Sequence, residues 1–470
     1  MPVLRNVTDW QGQCLYVAPD NPAGRNLALQ LQQQGATVLG MVDNLKQGPD
    51  VCNHASQTKP HDAVLIAASD FQQKIAEGML QNGFVANKIW CCNSLQPLQF
   101  APYQASSVLK KLSVFLHECF ASLLDLLPKG PVVYYAEKYV DSNVLVAFDA
   151  HYRLHKDVYL VVKDAQRCFH PAQIDQAWQV RWVLQRAKVL VLDHESTDPV
   201  LNRVRTQAKV VQLWHGLPFK HLAGNKHFPH ILDEAFVSSS SWFNQQIFPG
   251  MFKARLYLDF GYPRNDALLQ VPAHRCWHNS LPEQQLQQIR AGKKLIVFMP
   301  TYRDNGQNEH PIDWAELQQF LQQHDAVFVM KTHPFLAPFD ELRQHDGCNR
   351  IFHYPGRFNV YPWLADADLL ITDYSSVAFD FLLCNKPVLH FMYDIEQYAK
   401  VRGQFAIAKE DFIAGSTAET FAQLLEQMAL DLASDRFAAK RQALQQKFRM
   451  VNTLCCPTLI AYLQQLKQRS

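Results

Sequence analysis

Stretches such as VYLVV (158 to 162), KVLVLD (188 to 193), KVVQLW (209 to 214), KLIVFMP (294 to 300) and VFVMK (327 to 331) are apolar along nearly their whole length and alternate with segments of helical periodicity. A strand without a polar face has to be covered on both sides, and a parallel sheet between layers of helices is the arrangement that does so. An α/β fold is therefore predicted.

The alternation runs three times. CLYVA (14 to 18), TVLGMVD (37 to 43) and AVLIAA (63 to 68), with helices around 26 to 34 and 71 to 82, predict a small Rossmann-like domain over residues 1 to 104; Gly35 stands where a helix C-cap glycine belongs. PDNPAGRN follows its first strand in place of a G-x-G-x-x-G, so dinucleotide binding has little support there, and Asp43 reads as a solvated turn. A second α/β domain is expected over 105 to 265 and a third over 266 to 435, followed by a basic helical tail over 436 to 470. A length of 470 residues suits about three domains. The formal charge of +2 gives no general pull toward nucleic acid, so partners have to be argued locally. No apolar run of membrane length and no signal-peptide pattern occurs, which leads us to expect a cytoplasmic protein. The cysteines have no C-x-x-C or zinc spacing and read as reduced, packed thiols.

In doubly wound sheets, ligands bind beyond the carboxyl ends of the strands, and here those ends carry reactive side chains. His215 and Gly216 follow KVVQLW, with Lys220 close behind. Thr301 and Arg303 follow KLIVFMP. Lys331 ends VFVMK, with His333 two residues on. Thr372, Asp373, Ser375 and Ser376 stand in TDYSS after LLIT (369 to 372). Imidazole ionises near working pH, which makes His215 and His333 candidates for proton transfer. Asp373 is placed as a helix N-cap, and the serines after it would open a first turn whose free N–H groups suit a phosphate. Arg264 in GYPRND, Arg303, Lys331 and Arg402 could balance the charge of a diphosphate and of a departing nucleotide. P-loop, H-E-x-x-H, G-x-S-x-G and kinase signatures do not occur, and no metal site is read from the sequence.

At these residues the chain resembles the CDP-glycerol:poly(glycerophosphate) glycerophosphotransferase family of teichoic-acid-type polymerases and primases. The blocks that carry the resemblance are QLWHGLPFK (212 to 220), SSSSWFNQQIF (238 to 248), GYPRND (261 to 266), MPTYRD (299 to 304), MKTHP (330 to 334), ADADLLITDYSSVAFDFLLCNKPVLHF (365 to 391) and YDIEQYAKVRG (393 to 403). The resemblance implies a GT-B-type pair of Rossmann-like domains, with the acceptor on the N-terminal one and the nucleotide on the C-terminal one. It implies that an acceptor hydroxyl attacks the β-phosphate of CDP-glycerol or CDP-ribitol and releases CMP, with no cofactor. His215 then resembles the family's base and His333 its second histidine. Thr372, Asp373, Ser375 and Ser376 match the phosphate turn, and Arg402 the late R-G motif. Gly216, Lys220 and Asp380 complete the cleft. Leu217 stands where the family commonly has threonine, which bears on the acceptor side.

The expected partners are the CDP-activated polyol and a polymer or lipid-linked glycan acceptor. Residues 436 to 470 hold seven Lys or Arg and no acidic residue, so they could lie on the cytoplasmic membrane face or pack back on the fold. Two other readings stay open at this point: a GT-B-type glycosyltransferase using a nucleotide sugar such as CMP-sialic acid, and a nucleotide-binding assembly protein of a capsule pathway.

Overall fold

The computed structural model describes the chain apart from residues 1 to 4, 44 to 49, 68 to 71, 96 to 97, 103 to 128, 138 to 139, 164 to 171, 175 to 176, 196 to 198, 220 to 231, 271 to 280, 302 to 309, 332 to 340, 397, 399 to 404 and 470. It divides into two compact units, residues 1 to 120 with 303 to 308, and the remainder.

The first unit holds a seven-stranded sheet in the order Arg5–Asn6, Leu98–Pro102, Ile89–Leu95, Ala63–Ile66, Cys14–Ala18, Thr37–Val42, Val51–Cys52. Its strands are parallel from Ile89–Leu95 to Val51–Cys52, and Leu98–Pro102 and Arg5–Asn6 add an antiparallel edge. The helix Pro22–Gln33 starts at Asn21, whose side chain accepts the Gly24 N–H, and Gly35 follows its end at φ +86° as the C-cap reading requires.

The second unit holds two further seven-stranded sheets. The N-terminal one comprises β1 (Val132–Ala136), β2 (Val158–Val162), β3 (Val189–Leu192), β4 (Lys209–Gln212), β5 (Asp233–Val237) and β6 (Ala254–Leu258). These lie in the order β2, β1, β3, β4, β5, β6, all parallel, with the short strand Gln173–Ile174 outside β2. Successive side chains alternate between faces. Val132 and Tyr134 of β1 pack under the helix α1 (Asn143–Leu154), while Val133 and Tyr135 pack against α2 (Ala177–Gln185) and the helix Pro199–Arg205.

The C-terminal sheet comprises β7 (Lys294–Met299), β8 (Ala326–Lys331), β9 (Cys348–Tyr354), β10 (Leu369–Thr372), β11 (Val388–Phe391) and β12 (Ser416–Ala418). Their order is β9, β8, β7, β10, β11, β12, again parallel, and Arg343–His345 pairs antiparallel outside β9. One face is covered by α3 (Trp314–Gln323), which Asp313 caps through the N–H groups of Ala315 and Glu316, and by α4 (Phe421–Ala433). The other face belongs to a core that also takes in Trp214, Leu217, Phe219 and Phe236 from the N-terminal sheet. The two sheets therefore share apolar packing, and Phe219 stacks on Phe412 at 4.0 Å across it.

The segment read as a basic tail is an integral part of this unit. The helix α5 (Ala438–Lys447) buries Arg441, which pairs with Asp435. The helix α6 (Cys455–Gln468) returns to the N-terminal sheet and inserts Leu459, Leu463 and Leu466 between it and α1. Asp266 fixes its start, accepting the N–H groups of Cys455 and Cys456 at 2.7 and 2.9 Å. Arg436, Lys447 and Lys467 pair with Asp431, Asp411 and Asp157, so much of the positive charge is answered within the fold. Among the described residues no helix is long and apolar enough to cross a membrane.

If α6 is a core element, Leu463→Ala should lower the unfolding free energy by about 2 to 5 kcal/mol. Lys467→Ala, at a surface pair, should lower it by less than about 1 kcal/mol. Urea unfolding of the two variants measures both.

Candidate functional site

Each sheet of the second unit reverses its strand order once, and a parallel sheet opens a crevice at the carboxyl ends of the strands where it does so. In the N-terminal sheet the reversal lies between β1 and β3, in the C-terminal sheet between β7 and β10. Both crevices are built alike. Beyond β3, Asp193 is wholly buried, and its Oδ2 accepts the hydroxyl of Ser142 and the N–H of Val144. Beyond β10, the equally buried Asp373 accepts the Thr301 hydroxyl at 2.6 Å, the Thr301 N–H at 2.9 Å and the Tyr374 N–H at 2.5 Å. A carboxylate removed from water needs such donors, and satisfying them locks the two loops of each crevice together.

His215 follows β4 at the first crevice. Its Nδ1 lies 3.0 Å from the carbonyl oxygen of Asp193. A carbonyl only accepts, so Nδ1 carries the hydrogen and Nε2 keeps a lone pair, the form a base requires. The residue before it, Trp214, has φ +51°, a conformation a bulky side chain keeps only where its surroundings hold it. Here the Asn143 amide donates to the Trp214 carbonyl at 2.7 Å, and Gln212 accepts the Trp214 N–H at 3.0 Å.

Gly216 then brings the two sheets into contact. Its φ is +139°, and a Cβ built on it would lie 2.6 Å from the Oγ of Ser376 and 3.1 Å from the Nη2 of Arg264. The loop carrying His215 therefore lies directly against the serines of TDYSS, with no room for a side chain between them.

A buried polar chain braces this contact. Asp380 accepts from Arg264 Nη2 at 2.6 Å, from the Tyr361 hydroxyl at 2.6 Å and from the Asn265 amide at 3.0 Å. Arg264 also donates to the Asp141 carbonyl at 3.2 Å, and its N–H reaches Asn143 Oδ1 at 3.1 Å. Burial opposes the charge of Arg264, but Tyr361, Asp380 and Asp141 outweigh it and hold its proton more tightly than usual. Lys331 is buried nearby and donates to the carbonyls of Pro355 and Gly356; burial pushes it down to about 8, with Asp141 pulling the other way. Burial raises the Asp141 carboxyl.

The structure thus brings together His215, Gly216, Thr301, Thr372, Asp373, Ser375 and Ser376, all of which the sequence points to. It revises three assignments. Arg264 and Lys331, read as phosphate cations, are buried and committed to Asp380 and to backbone carbonyls, because they lie beneath the cleft floor. Asp373 is not a helix N-cap, since its oxygens face Thr301 and Tyr374, and the helix begins only at Val377. Asp380 belongs to the brace under the cleft. Lys220, Arg303, His333 and Arg402 lie outside the described residues. Asn143, Asp193, His194 and Tyr361 were not read from the sequence. The first hint for Asp193 and His194 was available, since Asp193 ends the stretch KVLVLD and His194 follows it as His215 follows KVVQLW. Among the described residues, no group of three or more His, Cys, Asp or Glu could hold a metal ion.

Comparison with known proteins adds the following. Residues 123–452 match the family described as CDP-Glycerol:Poly(glycerophosphate) glycerophosphotransferase. The teichoic acid ribitol-phosphate polymerase TarL of Staphylococcus aureus is 29% identical over 272 residues, covering 54% of this chain and 47% of that protein. The teichoic acid poly(glycerol phosphate) polymerase of Bacillus subtilis is 29% identical over 259 residues, covering 48% of this chain and 33% of that protein. The chain thus spans about half or less of the length of these two relatives. The solved structure of the wall teichoic acid polymerase TagF superposes with a TM-score of 0.60 at 20% identity, covering 77% of this chain and 96% of that one. That likeness supports a GT-B-like pairing of the two parallel sheets.

His390, on β11, offers a test of the crevice at TDYSS. It is wholly buried, its Nε2 accepts the Ala414 N–H at 3.1 Å, and burial pushes it down to about 4. The unfolded imidazole takes up a proton below about pH 6.5 and the folded one only near 4, so its contribution to stability is complete above 6.5 and is lost as pH falls. His390→Gln should therefore cost more stability at pH 7 than at pH 4.5, read as the difference in urea unfolding from the unsubstituted protein.

Proposed function

Since the chain belongs to the CDP-glycerol:poly(glycerophosphate) glycerophosphotransferase family, we propose that it transfers a polyol phosphate from CDP-glycerol or CDP-ribitol to an acceptor hydroxyl, releasing CMP, in the synthesis of a teichoic-acid-like or capsular polymer. The observation that carries this reading is the abutment of the His215 loop on the TDYSS serines at Gly216. It brings the loop of His215, whose Nδ1 is held by the Asp193 carbonyl, against Ser376 of the turn. The acceptor hydroxyl gives its proton to His215 Nε2 as its oxygen attacks the β-phosphorus. The bond from that phosphorus to the CMP oxygen breaks, and CMP leaves with the electron pair. Ser375 and Ser376 hold the donor phosphates, and Arg303, His333 and Arg402 are the proposed partners of the departing charge.

In this reading the N-terminal sheet, with residues 105 to 265, serves the acceptor, and the C-terminal sheet, with 266 to 435, serves the donor. Family membership favours it over a CMP-sialic acid glycosyltransferase or a binding-only assembly protein. A polymer or lipid-linked acceptor would reach the cleft from the side of His215. Contact with a membrane face would then use a surface other than the apolar side of α6, which is covered.

CMP release with CDP-glycerol and with CDP-ribitol, against CMP-sialic acid as control, tests the reaction. His215→Gln should lower turnover by about 10²-fold or more while leaving donor affinity within a few-fold. Ser375→Ala combined with Ser376→Ala should weaken donor binding in a folded protein; unchanged affinity would remove the turn from the site.

A further inference from the structure

His194 stands two residues beyond β3, and no step of the proposed reaction uses it. Asp193 before it holds two imidazoles with two different acceptors. Its backbone carbonyl takes His215 Nδ1 at 3.0 Å, and its carboxylate Oδ1 takes His194 Nδ1 at 2.8 Å. The other carboxylate oxygen is bound by Ser142 and Val144, so the carboxylate cannot turn away. The two rings are stacked, with centroids 4.2 Å apart and planes 14° from parallel.

We propose that His194 is a positioning residue for His215. It fixes the plane of that ring by stacking, and the hydrogen bond it gives Asp193 weakens the pull of that carboxylate on a proton at His215. This deepens the reading of His215 as the base and rests on it. The arrangement solves a problem that Asp193 creates, since a buried carboxylate beside a base would otherwise draw a proton onto it. The hydrogen bond from His194 Nδ1 offsets part of that pull. Among the described residues, three nearby charged groups are engaged by other partners. Arg264, beneath Gly216, is bound to Asp380; Glu195, next in sequence to His194, is bound to Arg205, which also holds Asp233; Asp141 accepts the Val360 N–H.

Two substitutions separate the effects. His194→Gln keeps a donor for Asp193 but loses the ring, and His194→Phe keeps a ring to stack but loses the donor. In His194→Phe the Asp193 carboxylate is left without that donor and favours protonation of His215. The protonation midpoint of His215, followed by NMR of its ring Cε1–H in the free protein, should therefore rise by about half a unit to one unit in His194→Phe and stay close to that of the unsubstituted protein in His194→Gln. The acid limb of the turnover profile should move the same way, and plateau turnover should fall further in His194→Gln than in His194→Phe. A midpoint unmoved or lowered in His194→Phe overturns the proposal, as does a plateau turnover that falls no further in His194→Gln than in His194→Phe. The NMR titration needs no substrate. Failure of the base reading would show separately, as turnover retained by His215→Gln.

Discussion

The pairing of Arg264 with Asp380 is the interaction on which the site depends. Arg264 lies in the segment that follows the N-terminal sheet, and Asp380 in the helix that follows the TDYSS turn of the C-terminal one. Both are buried, and an ion pair taken out of water is favourable only when its remaining donors and acceptors are also met. Tyr361 and Asn265 complete Asp380, and the Asp141 carbonyl takes a second guanidinium nitrogen. From Arg264 the chain of bonds runs through Asn143 to the carbonyl of Trp214, the residue that presents His215. A shift of one sheet against the other would break this chain, so the position of His215 is tied to that of the TDYSS turn.

Each sheet uses the same device at its own reversal of strand order. Ser142 with Asp193 and Thr301 with Asp373 each join the loop after the first strand of the fold to the loop after the strand beside it. A hydroxyl is small enough to enter the crevice and gives the carboxylate the donor that burial demands. In one crevice the carboxylate also orients an imidazole; in the other it shapes a turn of serines. The difference between the two crevices thus rests on what the shared frame presents.

Much of this was legible in the sequence. Strands apolar on both faces, helices of regular period, and polar residues gathered at strand ends point to parallel sheets and to His215, Thr301, Asp373, Ser375 and Ser376. The signals that misled were equally local. Arg264 and Lys331 occupy positions where a surface cation would serve a phosphate, and nothing in GYPRND or MKTHP shows that Asp380 or the Pro355 turn will enclose them. The seven basic residues after 435 look like an exposed face because their partners Asp157, Asp411 and Asp431 lie outside that segment or come from elements that meet it only in the fold.

By itself the sequence determined the order of strands and helices, the residues that end each strand, and family membership, because periodicity and strand-end chemistry are properties of neighbours along the chain. Only the tertiary structure decided that Arg264 and Lys331 are enclosed, that α6 closes the N-terminal sheet, and that Asp193 holds His194 where it stacks on His215. These are matters of burial and of pairs far apart in the chain, such as Arg264 with Asp380, where the cost of desolvating a charge is met by partners that no local stretch of sequence contains.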